Sequence, residues 1–396
     1  MGNLFILLIQ SNYRSAYFID YIFRATLITC RLKANIDRTA LFYTLKQHNN
    51  QALLTAFSIM LLDNKLREDA VSADRTYHNT EAAYGLPNDS IEHKRLELQH
   101  FNLLELMGGR IIHAPLGPDI THALDIGCGT GIITHEIASK LPDAIVTGID
   151  LSPIPAIRPK LPNIQYLQGD FNELVRAGRS TPEAAKFQPE TLDYIFSRLL
   201  VMGMPHWQSY VSSVAQLLRQ GGWAEIQEWA CVWYDAPASA SPEAFLPHDV
   251  SYDSTNEVNE DALRSDEHST DPYHIQPQPT WSALINEALR AKSLDPAAGN
   301  NIATYMHRAG LTDITTRRYI WAFGGWEGLS EEAKTFSAYA DEVLTLLIES
   351  LLQRFGAEMD VDPREIENCI REFREDVRSG KRRLYTWYSV TVGRKP

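Results

Sequence analysis

Cysteine is scarce in this chain of 396 residues. The four cysteines lie far apart, with no C-x-x-C pair and no histidines at zinc-binding spacing. The sequence therefore argues against a disulfide framework and a zinc module, and it predicts no metal site. We interpret the thiols as free groups in a reducing compartment, which predicts a cytoplasmic protein. The cysteines are Cys30, Cys128, Cys231 and Cys369.

Long apolar runs and an excess of basic charge are missing as well. The apolar stretch at residues 4–9 is soon followed by Arg14 and is too short to span a bilayer. The sequence has no basic segment followed by a small-residue cleavage site, so it predicts no secretory signal. Lys and Arg number 37 against 50 Asp and Glu, for a net charge of −13. Because phosphate contacts need clustered basic side chains, we expect no nucleic acid among the partners, and the short apolar run leads us to expect no membrane.

A glycine-rich turn lies between an apolar run and a helical pattern. Residues 123–126 are typical of a short buried strand, and apolar residues recur at helical spacing from Ile132 to Leu141. Glycines let backbone N–H groups approach a ligand closely, and a helix N-terminus adds partial positive charge. The turn reads Asp125-Ile126-Gly127-Cys128-Gly129-Thr130-Gly131.

An acid ends the next apolar run, which covers residues 144–150. We expect the Asp150 carboxylate at the carboxyl end of the neighbouring strand, where it can accept two hydrogen bonds from a ribose diol. The turn and the acid together predict a nucleoside-binding corner. A dinucleotide fingerprint needs its third glycine at position 132, but that residue is Ile132, which argues against a Rossmann oxidoreductase.

The G-x-G-x-G spacing after Asp125 resembles motif I of the class I methyltransferases that use S-adenosyl-L-methionine. The resemblance implies that the three glycines hold the amino-acid end of this cofactor. It also implies that Asp150, with Leu151 beside it, contacts the ribose.

Three further apolar runs continue the pattern in the order that this fold requires. The resemblance implies that Asp170 binds the adenine amino group, that Phe171 packs on the ring, and that Arg198 lies beside the cofactor. Strands separated by helices predict an α/β, Rossmann-like fold. With the resemblance, this becomes a mostly parallel seven-stranded sheet with an antiparallel last strand and helical cap insertions. The runs cover residues 164–170, 192–198 and 224–234.

Four phrases narrow the resemblance to a fungal group of methyltransferases. That group includes the velvet-associated global regulator of secondary metabolism and many tailoring enzymes of natural-product gene clusters. The similarity predicts an N-terminal extension at 1–76 and a methyltransferase domain at 77–396. The domain comprises a core at 110–235, an irregular acidic loop at 237–280, and C-terminal helices and strands at 281–396. The phrases lie at residues 84–100, 148–154, 222–228 and 392–396.

Two segments carry no chemical motif. Residues 1–70 are compatible with an ordered extension, a disordered tail, or residues wrongly included at the start of the gene. Residues 237–280 hold nine Asp or Glu against one Arg. So long an irregular stretch is typical of a functional lid or of disorder, and solvated disorder is favoured for 250–272.

Helical patterns flank the core and are expected to cover the site. A helix at 88–107 precedes the first strand, where this superfamily commonly covers its cofactor. Tyr84 is placed near the methionine end of the cofactor, with a core tyrosine as the alternative. A long amphipathic helix at 331–355 is expected to roof the site, and a strand at 384–392 is expected at the sheet edge.

Methyl transfer from a sulfonium needs mainly proximity, alignment and exclusion of water. An oxygen acceptor would also profit from a general base, and His206, after the fourth strand, is the candidate catalytic residue. Its alternative interpretation is a structural loop histidine. No N-P-P-Y-type motif follows the fourth strand, which argues against N-methylation of an amide or a base. The acceptor atom stays open among O, N and C.

Two functions remain. The leading hypothesis is a cytoplasmic tailoring enzyme that methylates a small-molecule acceptor in fungal secondary metabolism. The alternative is a nuclear regulator related to the velvet-associated protein, which works through a regulatory protein partner while methylation is secondary. Because both share the same motifs, the sequence does not separate them.

Overall fold

The computed structural model describes residues 86–250, 252 and 273–396. The predicted extension at 1–76, the candidate residue Tyr84 and nearly all of the 250–272 segment lie outside the described residues. The described strands are β1 (His122–Ile126), β2 (Ile145–Asp150), β3 (Ile164–Gln168), β4 (Leu192–Arg198), β5 (Leu218–Trp229), β6 (Tyr234–Asp235), β7 (His248–Val250), β8 (Thr312–Ala322) and β9 (Leu384–Arg394). The described α-helices are α1 (Ser90–Leu106), α2 (Ile132–Lys140), α3 (Phe171–Ala177), α4 (Trp207–Leu217), α5 (Thr280–Ala291), α6 (Ala298–Arg308), α7 (Glu331–Tyr339), α8 (Thr345–Glu358) and α9 (Pro363–Arg378).

The strands form one sheet in the order β3-β2-β1-β4-β5-β9-β8-β7, and β6 pairs with β9 beside this path. The five strands from β1 to β5 pair in parallel. All pairs that involve β9 or β7 are antiparallel. This is the mostly parallel, Rossmann-like α/β sheet that the sequence predicts.

The chain reverses its direction of travel across the sheet at β1. It builds outward from β1 through β2 to β3, and then returns to the other side of β1 with β4. Open α/β sheets bind their ligands at such a switch point, outside the carboxyl ends of the strands. The topology therefore directs attention to the residues that follow β1, β2 and β4.

The predicted count of seven strands and the edge position of the last strand are both wrong. Nine strands are found among the described residues, because β6 and β7 add to the seven. Strand β9 lies between β5 and β8 rather than at an edge. Its polar side chains are hydrogen-bonded inside the fold: the Thr386 hydroxyl donates to the Ala230 carbonyl at 2.8 Å, and the Thr391 hydroxyl pairs with that of Thr316 at 3.0 Å.

Two other elements differ from their prediction. Strand β5 covers 218–229 rather than 224–234, and the glycines at 221 and 222 lie within it, at an irregularity in its pairing with β4. The helix expected at 331–355 is divided into α7 and α8 by a π-helical turn, Ala340–Leu344. Pattern matching at 3.6 residues per turn does not detect this insertion, because the apolar face continues across it.

The described cysteines are buried free thiols. Burial raises the pKa of Cys128, inside the glycine turn, well above its ordinary value, so this thiol stays protonated and unreactive. Among the described residues, no helix has both the length and the apolar character to cross a membrane.

Candidate functional site

A cavity opens at the carboxyl ends of β1, β2 and β4, at the switch point of the sheet. It brings together eight residues that the sequence assigns to cofactor binding. They are Asp125, Gly127, Gly129, Asp150, Leu151, Asp170, Phe171 and Arg198.

The glycine turn needs glycine for both its backbone angles and its close packing. Gly127 and Gly131 adopt φ of 68° and 74°, in the left-handed region that favours glycine. A Cβ on Gly127 would lie 2.4 Å from Leu200 Cδ2, and one on Gly131 would lie 2.5 Å from the Tyr166 hydroxyl oxygen. Gly131 does not line the cavity but stands directly before α2, so its part is to shape the turn.

The Asp150 carboxylate holds the turn in place. The Gly129 N–H donates to Asp150 Oδ2 at 2.8 Å, and the Ser152 N–H donates to Oδ1 at 2.9 Å. A carboxylate offers about four acceptor positions on its two oxygens. The same group can therefore fix the turn and still accept hydrogen bonds from a vicinal diol in the cavity.

Asp125 is a buried carboxyl group behind the turn. The Thr134 hydroxyl donates to its Oδ2 at 2.6 Å. The pKa of Asp125 is raised to about 7: burial raises it most and the charge of Asp150 adds to the rise, whereas the hydrogen bond from Thr134 and the charge of Arg198 oppose it. A bound cation would favour the ionised form of this carboxyl group.

Asp170 and Phe171 begin α3 beside the cavity. Asp170 caps the helix, because its Oδ1 accepts from the Asn172 N–H at 2.7 Å and from the Glu173 N–H at 3.3 Å. Phe171 is buried and makes edge-to-face contacts with Phe187 and Tyr210. Asp170 therefore stabilises the N-terminus of α3 through Oδ1. Its Oδ2 has no hydrogen-bond partner among the described residues.

Helix α1 covers the cavity, as the sequence predicts. Glu92, Leu96 and Gln99, spaced one turn apart, line the cavity together with His93. Glu92 and Gln99 were not predicted as site residues, although their spacing places them on the same face of α1 as Leu96. His93 pairs through Nε2 with Asn88 Oδ1 at 2.9 Å, so it is already engaged at the rim.

A polar cluster joins α1 to the glycine turn. Glu97 accepts a hydrogen bond from the Thr130 hydroxyl and forms an ion pair with Arg158. Arg158 Nη1 also donates to the Thr130 carbonyl at 2.5 Å. The sequence prediction missed this cluster, because its members are 28 to 61 residues apart.

Arg198, at the end of β4, offers a donor to the cavity. Its Nη1 atom is buried and has no hydrogen-bond partner among the described residues. Burial lowers the pKa of Arg198, and the charges of Tyr388 and Asp125 oppose that shift. An unpartnered guanidinium N–H in a cavity wall fits a carboxylate of the ligand, since charge-assisted pairs with Arg are the strong ones.

His206, the predicted general base, is not placed at this cavity. It is an exposed residue with φ of 54°, directly before α4. It lines a separate surface depression with Arg290 and Asp295. The lining of the cavity includes Met204 but not His206, and a catalytic part for His206 stays a prediction.

Among the described residues, no group of His, Cys, Asp or Glu is arranged to hold a metal ion. The polar groups that line the cavity include the carboxylates of Asp125, Asp150 and Asp170 and the Arg198 guanidinium.

Residues 124–224 match a family model described as a methyltransferase domain. This range contains every candidate cofactor residue within the described part of the chain. "Methyltransferase pytC" of Aspergillus terreus is 29% identical over 198 residues, which cover 49% of this chain and 57% of that protein. "Methyltransferase str2" of Strobilurus tenacellus is 32% identical over 149 residues, which cover 37% of this chain and 50% of that protein.

A longer match is found with the "Secondary metabolism regulator laeA" of Coprinopsis cinerea. It is 27% identical over 307 residues, which cover 74% of this chain and 66% of that protein. The chain thus spans between half and two thirds of the length of these relatives. Residues 124–224 are thus similar to a methyltransferase domain, and the chain is similar to fungal methyltransferases and to a fungal regulator of secondary metabolism.

Proposed function

We propose that this protein is an S-adenosyl-L-methionine-dependent methyltransferase that methylates a small molecule in fungal secondary metabolism. The observation that carries the proposal is the convergence of the glycine turn, Asp150 and Asp170 on one cavity at the switch point of the sheet. We further propose that the protein acts in the cytoplasm.

The residues present fit this cofactor. Asp150 would accept the ribose hydroxyls, and Asp170 with Phe171 would contact the adenine. The buried, unpartnered Nη1 of Arg198 would donate a hydrogen bond to the methionine carboxylate. When bound, the cofactor supplies an activated methyl group on a sulfonium centre.

The chain's own contribution is positioning and exclusion of water. Helix α1 lies over the cavity and is tied to the glycine turn through Glu97, Thr130 and Arg158. A closed, preorganised site places the acceptor against the reacting carbon without competition from water. This proposal needs no general base at His206.

The alternative is a nuclear regulator that acts through a protein partner. The length of the match with the Coprinopsis regulator favours it, because that match covers 307 residues and extends well beyond the domain at 124–224. The presence of the cofactor corner is compatible with this alternative too, since a regulator can retain cofactor binding.

Comparative metabolite profiling of a deletion strain distinguishes the two functions. For a tailoring enzyme, we expect the loss of one methylated product and the accumulation of a counterpart lighter by the mass of one CH₂. Complementation with the Asp150→Ala variant should leave the product missing. Silencing of many unrelated pathways at the transcript level would support the regulator and contradict the tailoring enzyme.

A further inference from the structure

A second cavity adjoins the cofactor cavity. Three residues, Leu96 and Gln99 of α1 and Leu199 after β4, line both cavities. The two cavities therefore meet at these three side chains. No motif in the sequence indicates this cavity, because its walls come from six separate parts of the chain.

The wall of the second cavity is dominated by large aromatic rings. Trp229 and Trp321 are stacked with centroids 5.6 Å apart, and Trp233 meets Trp281 edge to face at 5.0 Å. Phe323 packs against Trp233 at 5.6 Å. All five rings line the cavity. Such rings favour flat, apolar ligands, since aromatic pairs gain from stacked and edge-to-face contacts.

The opposite wall is aliphatic and comes from the helical cap. Leu347, Ile348 and Leu351 of α8 line the cavity, together with Leu344 at the end of the π-helical turn. π-Helical insertions in α-helices are frequent at functional sites, because they re-aim the side chains that follow. Here the insertion immediately precedes the segment that forms the cavity wall.

Two polar atoms interrupt this apolar lining on one face of α5. Ser282 Oγ and Asn286 Oδ1 are buried in the wall and have no hydrogen-bond partner among the described residues. They belong to residues one helical turn apart, so they share a face. The Asn286 amide nitrogen donates to the Cys231 carbonyl at 3.0 Å, which orients the amide with its oxygen as the remaining acceptor.

We propose that the second cavity is the acceptor site and that it takes a flat, ring-containing apolar molecule with a hydroxyl group that donates to Asn286 Oδ1 and accepts from the Ser282 hydroxyl. This inference rests on the proposed function, because it requires a cofactor in the adjoining cavity. The aromatic wall selects the ring system, and the two α5 side chains fix its orientation. A buried polar group left without a partner is costly, so a ligand that supplies the missing donor is favoured over one that does not.

The test uses the full chain saturated with S-adenosylhomocysteine and two probes of the same shape. 2-Naphthol carries the hydroxyl, and naphthalene lacks it. Quenching of tryptophan fluorescence should report binding of both probes. We expect 2-naphthol to bind about tenfold more tightly, because it makes one additional hydrogen bond to a buried acceptor. Ser282→Ala should reduce this preference and leave the affinity for naphthalene unchanged.

A matched pair of variants locates the probe. Leu346 and Leu347 are both half-buried on α8, but Leu347 alone lines the cavity. Leu347→Trp fills the cavity and should lower the affinity for 2-naphthol by at least about tenfold, whereas Leu346→Trp should leave it within about twofold. Both variants should bind S-adenosylhomocysteine as the unmodified protein does, which serves as the folding control.

The outcomes separate this inference from the proposed function. If S-adenosylhomocysteine binds but 2-naphthol does not, or if Leu347→Trp and Leu346→Trp bind 2-naphthol equally, the acceptor site is wrong and the proposed function stands. If S-adenosylhomocysteine itself does not bind, the proposed function fails and this inference fails with it. Should Leu347→Trp lose its fold, the comparison of the two probes in the unmodified protein and in Ser282→Ala decides: equal affinities for 2-naphthol and naphthalene overturn the proposal.

Discussion

At the scale of single residues, the Asp125 carboxyl group in the cofactor corner makes the free energy of unfolding depend on pH. Its pKa is raised by burial to about 7, from an ordinary value near 3.8. Between these values the folded protein holds a proton that the unfolded chain has released. The free energy of unfolding therefore decreases as the pH rises through this window, and the full cost of burying the charge is reached above pH 7.

We predict that Asp125→Asn weakens this pH dependence, because asparagine keeps the shape and the acceptor for Thr134 but does not titrate. Between pH 5 and 8, the melting temperature of the unmodified protein should fall more steeply than that of the variant. Glu228, whose pKa burial raises to about 8, titrates in both proteins and cancels in the comparison. Parallel melting curves across this range would show that Asp125 does not carry the effect.

A second prediction at this scale concerns the glycine turn. Gly131 and Gly108 both have positive φ, at 74° and 62°. A Cβ at 131 would overlap the Tyr166 hydroxyl, whereas a Cβ at 108 would meet nothing within 4 Å. We expect Gly131→Ala to lower the free energy of unfolding by about 1–3 kcal/mol more than Gly108→Ala, as overpacking typically does.

Denaturant unfolding measures this difference. The double variant Gly131→Ala, Tyr166→Phe should regain part of the lost stability, because it removes the oxygen that the added methyl group meets. Equal losses at positions 131 and 108 would mean that backbone strain alone explains the requirement for glycine.

At the scale of secondary-structure elements, the main device is the attachment of α1 to the turn. Glu97 reaches both the Thr130 hydroxyl and Arg158, which joins the helix to the turn and to the segment after β2. The cover over the cavity is thus held by one carboxylate rather than by apolar packing alone. Opening of this cover is the step that would release a bound product.

We predict that Glu97→Gln speeds the release of S-adenosylhomocysteine by about threefold or more, because the amide loses the ion pair with Arg158. Stopped-flow displacement measures the rate of release. Glu183→Gln, at an exposed glutamate outside the site, should leave the rate unchanged. Equal rates in the unmodified protein and in Glu97→Gln would show that α1 is held by other contacts.

The elements also show which parts of the fold can be predicted from sequence. Strands β1 to β4 and helix α2 were predicted within two residues, because each is a short apolar run with a local boundary such as a glycine or an acid. Strand β9 was misplaced because the order of strands in a sheet depends on distant partners. Its alternating pattern at the end of the chain suggested an edge strand, but Thr386 and Thr391 find their partners inside the fold.

At the scale of the whole molecule, one cavity could be predicted from the sequence and the other could not. The cofactor corner was predictable because its turn, Asp150 and Asp170 follow consecutive strands whose ends meet at the switch point. The position of His206 outside this cavity was not predictable, because the sequence alone does not indicate the direction of the chain after β4. The second cavity was not predictable, because Trp229, Trp281 and Leu347 lie on elements that meet only in the folded protein.

The central claim is that the cavity at the switch point binds S-adenosylmethionine through Asp150 and the glycine turn. Isothermal titration with S-adenosylhomocysteine, and with NAD as the comparison ligand, tests it most directly. We predict saturable binding of S-adenosylhomocysteine, a loss of affinity of about tenfold or more in Asp150→Asn, and unchanged affinity in the exposed control Asp143→Asn. Binding of NAD without binding of S-adenosylhomocysteine would contradict the account.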